Sequence, residues 1–210
     1  MIPPGVVNPS GPIRSVPEDY HIGWVIQLLP FLEQSGVAQT IDPGLTVYSP
    51  ENGGGRRLKL NTFECPADAS ALPTGSTHYA GCHHDVEAPI DADNHGVFFL
   101  NSRLRQVDIV DGHGFTIFVG EKLGEPTDLG WMSGTRATLR NTGTPINGKV
   151  DAELILDPLF VGGFGSRHRG GANFAFGDGA VHFLRDTIDA SVFRLLGNRD
   201  DGEMIDGRDF

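Results

Sequence analysis

The stretch Ser166-Arg-His-Arg-Gly-Gly-Ala-Asn-Phe-Ala-Phe-Gly-Asp-Gly-Ala-Val-His-Phe-Leu184 decides how the chain is read. Ala172, Phe174 and Phe176 alternate with Asn173 and Ala175, the period of a half-buried strand. Gly177-Asp178-Gly179 follows, and Gly and Asp tolerate the positive φ that tight hairpin loops need. Residues 180–184 are strand-like again, so the stretch predicts a β-hairpin. His168 stands just before the first strand and Asp178 sits in the turn. Two readings of them are open. They form an acid/base or metal-ligating pair, or Asp178 shapes the turn while His168 hydrogen-bonds across to the hairpin or a neighbouring loop. The sequence sets no nucleophile beside them. Gly170, Gly171 and Gly179 read as backbone requirements, because no helix follows them directly to make a phosphate cradle.

After the hairpin, Asp189 is an N-cap for a helix through residue 196, with Gly197 as its stop. Residues 198–210 form an acidic tail. Before the hairpin, residues 115–119 (Phe-Thr-Ile-Phe-Val) are the most β-prone run, and shorter strands are expected at 58–65, 77–81 and 96–100. Residues 122–163 are poor in periodic signal and read as a loop-rich excursion with one short strand. Residues 41–55, with Asp42-Pro43-Gly44 and three successive glycines at 53–55, predict a mobile loop. Residues 21–34 have helical spacing of Trp24, Leu28 and Leu32, kinked or divided by Pro30. The five prolines in residues 1–19 predict an extended arm. Trp24, Phe31, Phe98, Phe118, Phe174 and Phe176 are the core candidates. Short strands between turns with helices at the ends give an α+β fold in a single domain over 1–210.

Bulk composition narrows the function classes. Gly 29 and Pro 14 favour a loop-rich β or α+β fold over a helical bundle. A net charge of −11 with no Lys/Arg stripe argues against a nucleic-acid partner. No run of about 18 apolar residues occurs, so no transmembrane helix is expected in this chain.

The order of several short motifs carries a resemblance. They are Pro3-Pro4-Gly5, the run Trp24-Val-Ile-Gln-Leu-Leu-Pro-Phe-Leu-Glu-Gln34, and Phe63-Glu-Cys-Pro-Ala-Asp68. Tyr79-Ala-Gly81, Gly96-Val-Phe98, Asp108-Ile-Val-Asp-Gly112 and Thr116-Ile-Phe-Val-Gly-Glu121 come next, followed by a His-x9-Asp-Gly signature from His168 to Gly179. The chain resembles the pilin-like (prepilin-type) proteins catalogued as domain of unknown function 1559. That resemblance implies a pilin-like headgroup: an antiparallel sheet with short helices and long loops, extracytoplasmic, in the cell envelope or at the cell surface. It implies a structural protein of a filament or a type II secretion-like system, with no catalysis and no catalytic residues. Its partners would be itself or other pilin-like subunits. Members carry an N-terminal anchor helix directly before Pro-Pro-Gly; the chain looks like the headgroup without it, and membrane contact is expected only through such a helix. One sheet face is then expected either to show an apolar groove or to be covered by something else. The alternative reading is a secreted module binding carbohydrate or another surface ligand through residues 82–95 or 122–163. A metal-dependent hydrolase using the same loops is the third.

The cysteines and acidic loops complete the candidates. Cys65 and Cys82 read as a disulfide, closing a loop of about 17 residues and contributing on the order of 3 kcal/mol in the chain-entropy model; the extracytoplasmic location that the resemblance implies favours it. An unpaired Cys65 is the other reading. Zinc ligands are present by type in Cys65, His78, Cys82, His83, His84 and His95, but without a zinc-type spacing. Asp91-Ala-Asp-Asn-His-Gly96 departs from an EF-hand loop, since Ser102 stands where the bidentate Glu is needed. A looser Ca2+ site at Asp91, Asp93 and Asn94 stays open beside a solvated acidic loop, and no other cofactor is expected.

Overall fold

The computed structural model describes residues 1–68, 75–125, 127–207 and 210. Its centre is a five-stranded sheet made of β3 (Tyr79–His84), β4 (Ile117–Glu121), β5 (Leu139–Asn141), β6 (Gly171–Phe176) and β7 (Val181–Arg185), in the order β5-β3-β4-β6-β7. All neighbours are antiparallel except β3 and β5, which run parallel. A smaller pair, β1 (Val6–Val7) with β2 (Ile22–Gly23), lies outside this sheet. Among the described residues five short α-helices accompany the strands: α1 (Trp24–Leu28), α2 (Ser35–Ala38), α3 (Gly53–Arg56), α4 (Ala152–Leu156) and α5 (Ala190–Gly197). The fold is α+β, as the alternation of short strands and turns implies.

The hairpin forms where the sequence puts it, with Ala172 opposite Leu184 and Ala175 opposite Val181. Gly170 and Gly179 have φ of +81° and +88°, which is why glycine stands at both. A Cβ on Gly171 would meet the Leu184 carbonyl oxygen at 2.1 Å, so that glycine serves close strand approach. Asp189 caps α5 by accepting the Ser191 and Val192 N–H groups. Pro30 divides the helical run as expected: α1 ends at Leu28, a 3-10 turn covers Leu29–Leu32, and α2 begins at Ser35.

Side-chain alternation sends the sheet's two faces into two cores. One face meets Trp24, Val97, Phe98, Trp131 and Met132, with Tyr79 and Val119 from the sheet packed against them. The other gathers Ala80, Cys82, Ile117, Phe164, Ala172, Phe174, Phe176 and Leu184 beneath Phe193 and Leu196 of α5. Both faces of the central strands are therefore covered by this chain's own segments. Among the described residues β7 pairs only with β6, and on its face opposite Leu184 Val181 and Phe183 are 65% and 46% exposed.

Four local expectations change. Residues 58–65 form a 3-10 turn at Asn61–Phe63 rather than a strand, which tucks Phe63 into the core. Residues 96–100 are buried but form no strand: the Val97 and Phe98 N–H groups both donate to the Cys82 carbonyl, at 3.0 and 2.9 Å, and Leu100 makes only an isolated parallel bridge with Val6. Residues 41–55 are pinned rather than mobile: the buried Asn52 amide accepts from the Asp42 N–H and donates to the Asp42 and Thr46 carbonyls, and α3 follows it. Residues 122–163 are no surface excursion, since Trp131, Met132 and Leu139 are fully buried and β5 pairs with β3. Among the core candidates, Trp24, Phe98, Phe174 and Phe176 are buried and Phe118 is half-buried, while Phe31 is exposed on the 3-10 turn.

Candidate functional site

Glu121 closes β4, and with Lys122 it ends an apolar run by turning two charges inward. The Glu121 carboxylate is buried and occupied on both oxygens. Oε2 accepts from the Asn173 backbone N–H at 2.6 Å and from its side-chain amide at 3.1 Å. Oε1 accepts from the Cys65 thiol at 3.2 Å and lies 3.1 Å from His168 Nε2. The third side of the triangle, Cys65 Sγ to His168 Nε2, measures 3.5 Å. Cys65, Glu121 and His168 come from three separate motifs, and the sheet brings them together by setting β6 beside β4.

The surroundings fix each member. The turn before β6 is held by Ser166, whose hydroxyl donates to the Gly171 carbonyl and accepts from the His168 N–H. The Cys65 N–H donates to His78 Nδ1 at 3.1 Å, so the His78 proton sits on Nε2, 3.4 Å from the buried Asp68 carboxylate. Burial pushes the Cys65 thiol up and the Glu121 carboxylate adds to the effect, while the Ala67 and Asp68 backbone N–H groups oppose it. Cys65 is thus held as a thiol rather than as a ready nucleophile. Burial also lowers His78, against the pull of Asp68.

Behind this triangle lies a buried ion pair. Lys122 Nζ is 2.5 Å from Asp128 Oδ2, with both side chains almost fully enclosed. Burial lowers the Lys122 ammonium and Asp128 opposes that shift. Arg140 continues the layer, donating to Glu125 at 2.9 Å and to the Val161 carbonyl.

The candidates read from sequence divide. His168 and Asp178 are not a pair, because they sit at opposite ends of β6: Asp178 turns the hairpin by accepting the Ala180 N–H, and the partners of His168 are Glu121 and Cys65. Cys65 and Cys82 are both free and do not form the expected disulfide. Alternation along β3 points Cys82 into the core under α5, 3.6 Å from the Gly197 carbonyl, while Cys65 faces the other end of the sheet system at Glu121. The Asp91, Asp93 and Asn94 set does not converge either. Asn94 is buried, and its oxygen is committed to the Asp91 N–H and His83 Nδ1, while Asp93 is exposed. The histidine-rich segment gives a second cluster: His84 Nδ1 and His95 Nδ1 lie 2.5 and 3.0 Å from Asp85 Oδ1. Burial alone would raise the Asp85 carboxyl; the His84 hydrogen bond and charge, with its backbone N–H and His95, hold it well below the usual range. Residues 82–84, assigned to a ligand-binding loop in the alternative reading, are buried.

Glu121, Asn173 and the Lys122–Asp128 pair were not singled out from sequence. The signal available was a Glu-Lys pair directly after an apolar strand, which by itself reads as a strand leaving for solvent.

No helix among the described residues is long and apolar enough to cross a membrane. The family profile described as "Protein of unknown function (DUF1559)" matches residues 1–191, and the chain belongs to that family. No curated protein and no solved structure matches the chain.

Proposed function

We propose that this DUF1559 domain is a pilin-like headgroup that works by packing against copies of itself or other pilin-like subunits outside the cytoplasm, and catalyses no reaction. The observation that carries the reading is the bare edge of the sheet. Strand β7 shows Val181 and Phe183 on the face opposite Leu184, while α5 fills the other face. Folded proteins blunt such edges with charge, proline or a covering segment, and an open apolar edge is a template for association. The interior supports the same reading, since the most reactive residue types are held by protein partners: Glu121 on both oxygens, Cys65 as a thiol.

Val181→Glu and Phe183→Glu test it. Val181 is largely exposed, so its expected change in folding stability by urea denaturation is within about 0.5 kcal/mol, whereas the Phe183 ring also packs edge-on against His168 and its replacement is expected to cost about 1 kcal/mol. Cross-linking on the cells that make the protein, followed by mass spectrometry of the 181–185 segment, is expected to give subunit–subunit links in the parent and to lose them in both variants. A parent that gives no links from β7, or a Phe183→Glu variant linked as the parent is, would overturn the assembly role.

A further inference from the structure

We infer that Cys65, Glu121 and His168 form a binding site for a single zinc-type divalent metal ion. The inference does not rest on the assembly reading. Thiolate sulfur, carboxylate oxygen and imidazole nitrogen are the three ligand types zinc takes, with bonds of about 2.0–2.3 Å, so a tetrahedral ion sets its ligand atoms about 3.3–3.6 Å apart. The three edges here are 3.2, 3.1 and 3.5 Å. An ion placed between them needs the ligand atoms to move outward by only a few tenths of an ångström.

Three further features separate this triangle from a chance contact. The residues are far apart in sequence, so no local turn explains their meeting. The Glu121 oxygen that would face away from the ion is clamped by two donors of Asn173, the outer support that orients a metal-bound carboxylate. Charge also balances: a thiolate, a carboxylate and a neutral imidazole leave a divalent ion neutralised inside a largely buried site. His168 is the partly exposed member, its side chain 33% exposed, which gives an ion a route in and leaves a fourth position for water.

The thiolate and imidazole also set the selectivity. Soft and borderline ligands favour zinc over calcium or magnesium, which call for all-oxygen sites. The Asp85 cluster fits less well: the 2.5 Å separation of His84 Nδ1 from Asp85 Oδ1 is too short an edge for two ligands of one tetrahedral ion. Loading the site releases the Cys65 proton, so binding strengthens as pH rises.

The whole chain, freed of metal by chelator, is titrated with Co2+ and then Zn2+. The expected result is one Co2+ per chain with a sulfur-to-cobalt charge-transfer band and tetrahedral d–d absorption, abolished by one equivalent of Zn2+. Cys65→Ala is expected to remove the charge-transfer band. His168→Gln is expected to weaken Zn2+ binding at least 100-fold, and Asn173→Ala by about 10–100-fold while keeping the band. Circular dichroism of each variant reports folding; His168 is partly exposed, so its variant keeps the test decisive even where Cys65→Ala unfolds. Absence of the band in the folded parent would overturn the site, as would a band that persists in Cys65→Ala or unchanged Zn2+ affinity in folded His168→Gln.

Discussion

The C-terminal hairpin with α5 and the polar layer behind β4 are built on different principles. In the hairpin each part is decided by its neighbours in sequence: alternation in β6, Gly-Asp-Gly at the tip, an aspartate cap four residues before Phe193. In the polar layer nothing is decided locally. Lys122 needs Asp128, Glu121 needs Cys65, His168 and Asn173, and Arg140 needs Glu125. The first region tolerates the loss of a part because each part contributes little. The second holds charges away from water, so each member depends on its partner.

The largest expected effect follows from that dependence. Lys122→Met leaves the Asp128 carboxylate buried without its cation, and breaking a buried pair from one side costs roughly 3–5 kcal/mol. The double variant Lys122→Met with Asp128→Leu removes both charges and is expected to recover most of that loss, although the Glu125 N–H then lacks its acceptor. A urea-denaturation cycle over the four proteins measures the coupling. If the single variant costs less than about 1 kcal/mol, the polar layer is solvated and the contrast with the hairpin disappears.

Buried histidines sharpen the same contrast through pH. Burial lowers His83 to about 3, against the opposing hydrogen bond that its Nδ1–H donates to the Asn94 side-chain oxygen. An unfolded histidine takes up its proton near pH 6.5. Between those two values the unfolded chain binds the extra proton, so stability falls as pH is lowered. The slope is about 1.4 kcal/mol per pH unit for one group, and the loss levels off below the folded value. His21 and His78 are also lowered by burial and add in the same sense. His83→Gln keeps a donor for Asn94 and is expected to flatten the slope of unfolding free energy between pH 6 and 4 by about 1.4 kcal/mol per unit. An unchanged slope would mean that His83 meets solvent in the folded protein.

These two regions also explain what could be read from the sequence. The hairpin, the cap at Asp189 and the break at Pro30 were legible because a few adjacent residues carry the whole cause. Residues 122–163 looked like a loop because their order comes from elsewhere: Trp131 donates to the Leu58 carbonyl, and Arg140 reaches Glu125 and Val161. His168 was legible as a residue in want of a partner, but adjacency in the motif suggested Asp178. A strand of six residues separates those two, and the partner that β6 pairing supplies is Glu121. The cysteines failed for a related reason. Sequence distance permits a disulfide, whereas the faces to which β3 and the Cys65 turn direct the side chains do not.

The smallest effect belongs to the local region. Asp189→Ala removes the side-chain oxygen that accepts from Ser191 N–H at 2.8 Å and Val192 N–H at 3.4 Å, and losing such a cap costs about 1 kcal/mol. The loss stays small because α5 is held chiefly by Phe193 and Leu196 against Phe174, not by its first turn. Amide exchange is therefore expected to speed up at Ser191 and Val192 while Leu196 stays protected. The comparison turns on this pair of numbers. If Asp189→Ala cost as much as Lys122→Met, α5 would fold or unfold from its cap, and the second core would depend on a single surface turn rather than on the packing beneath it.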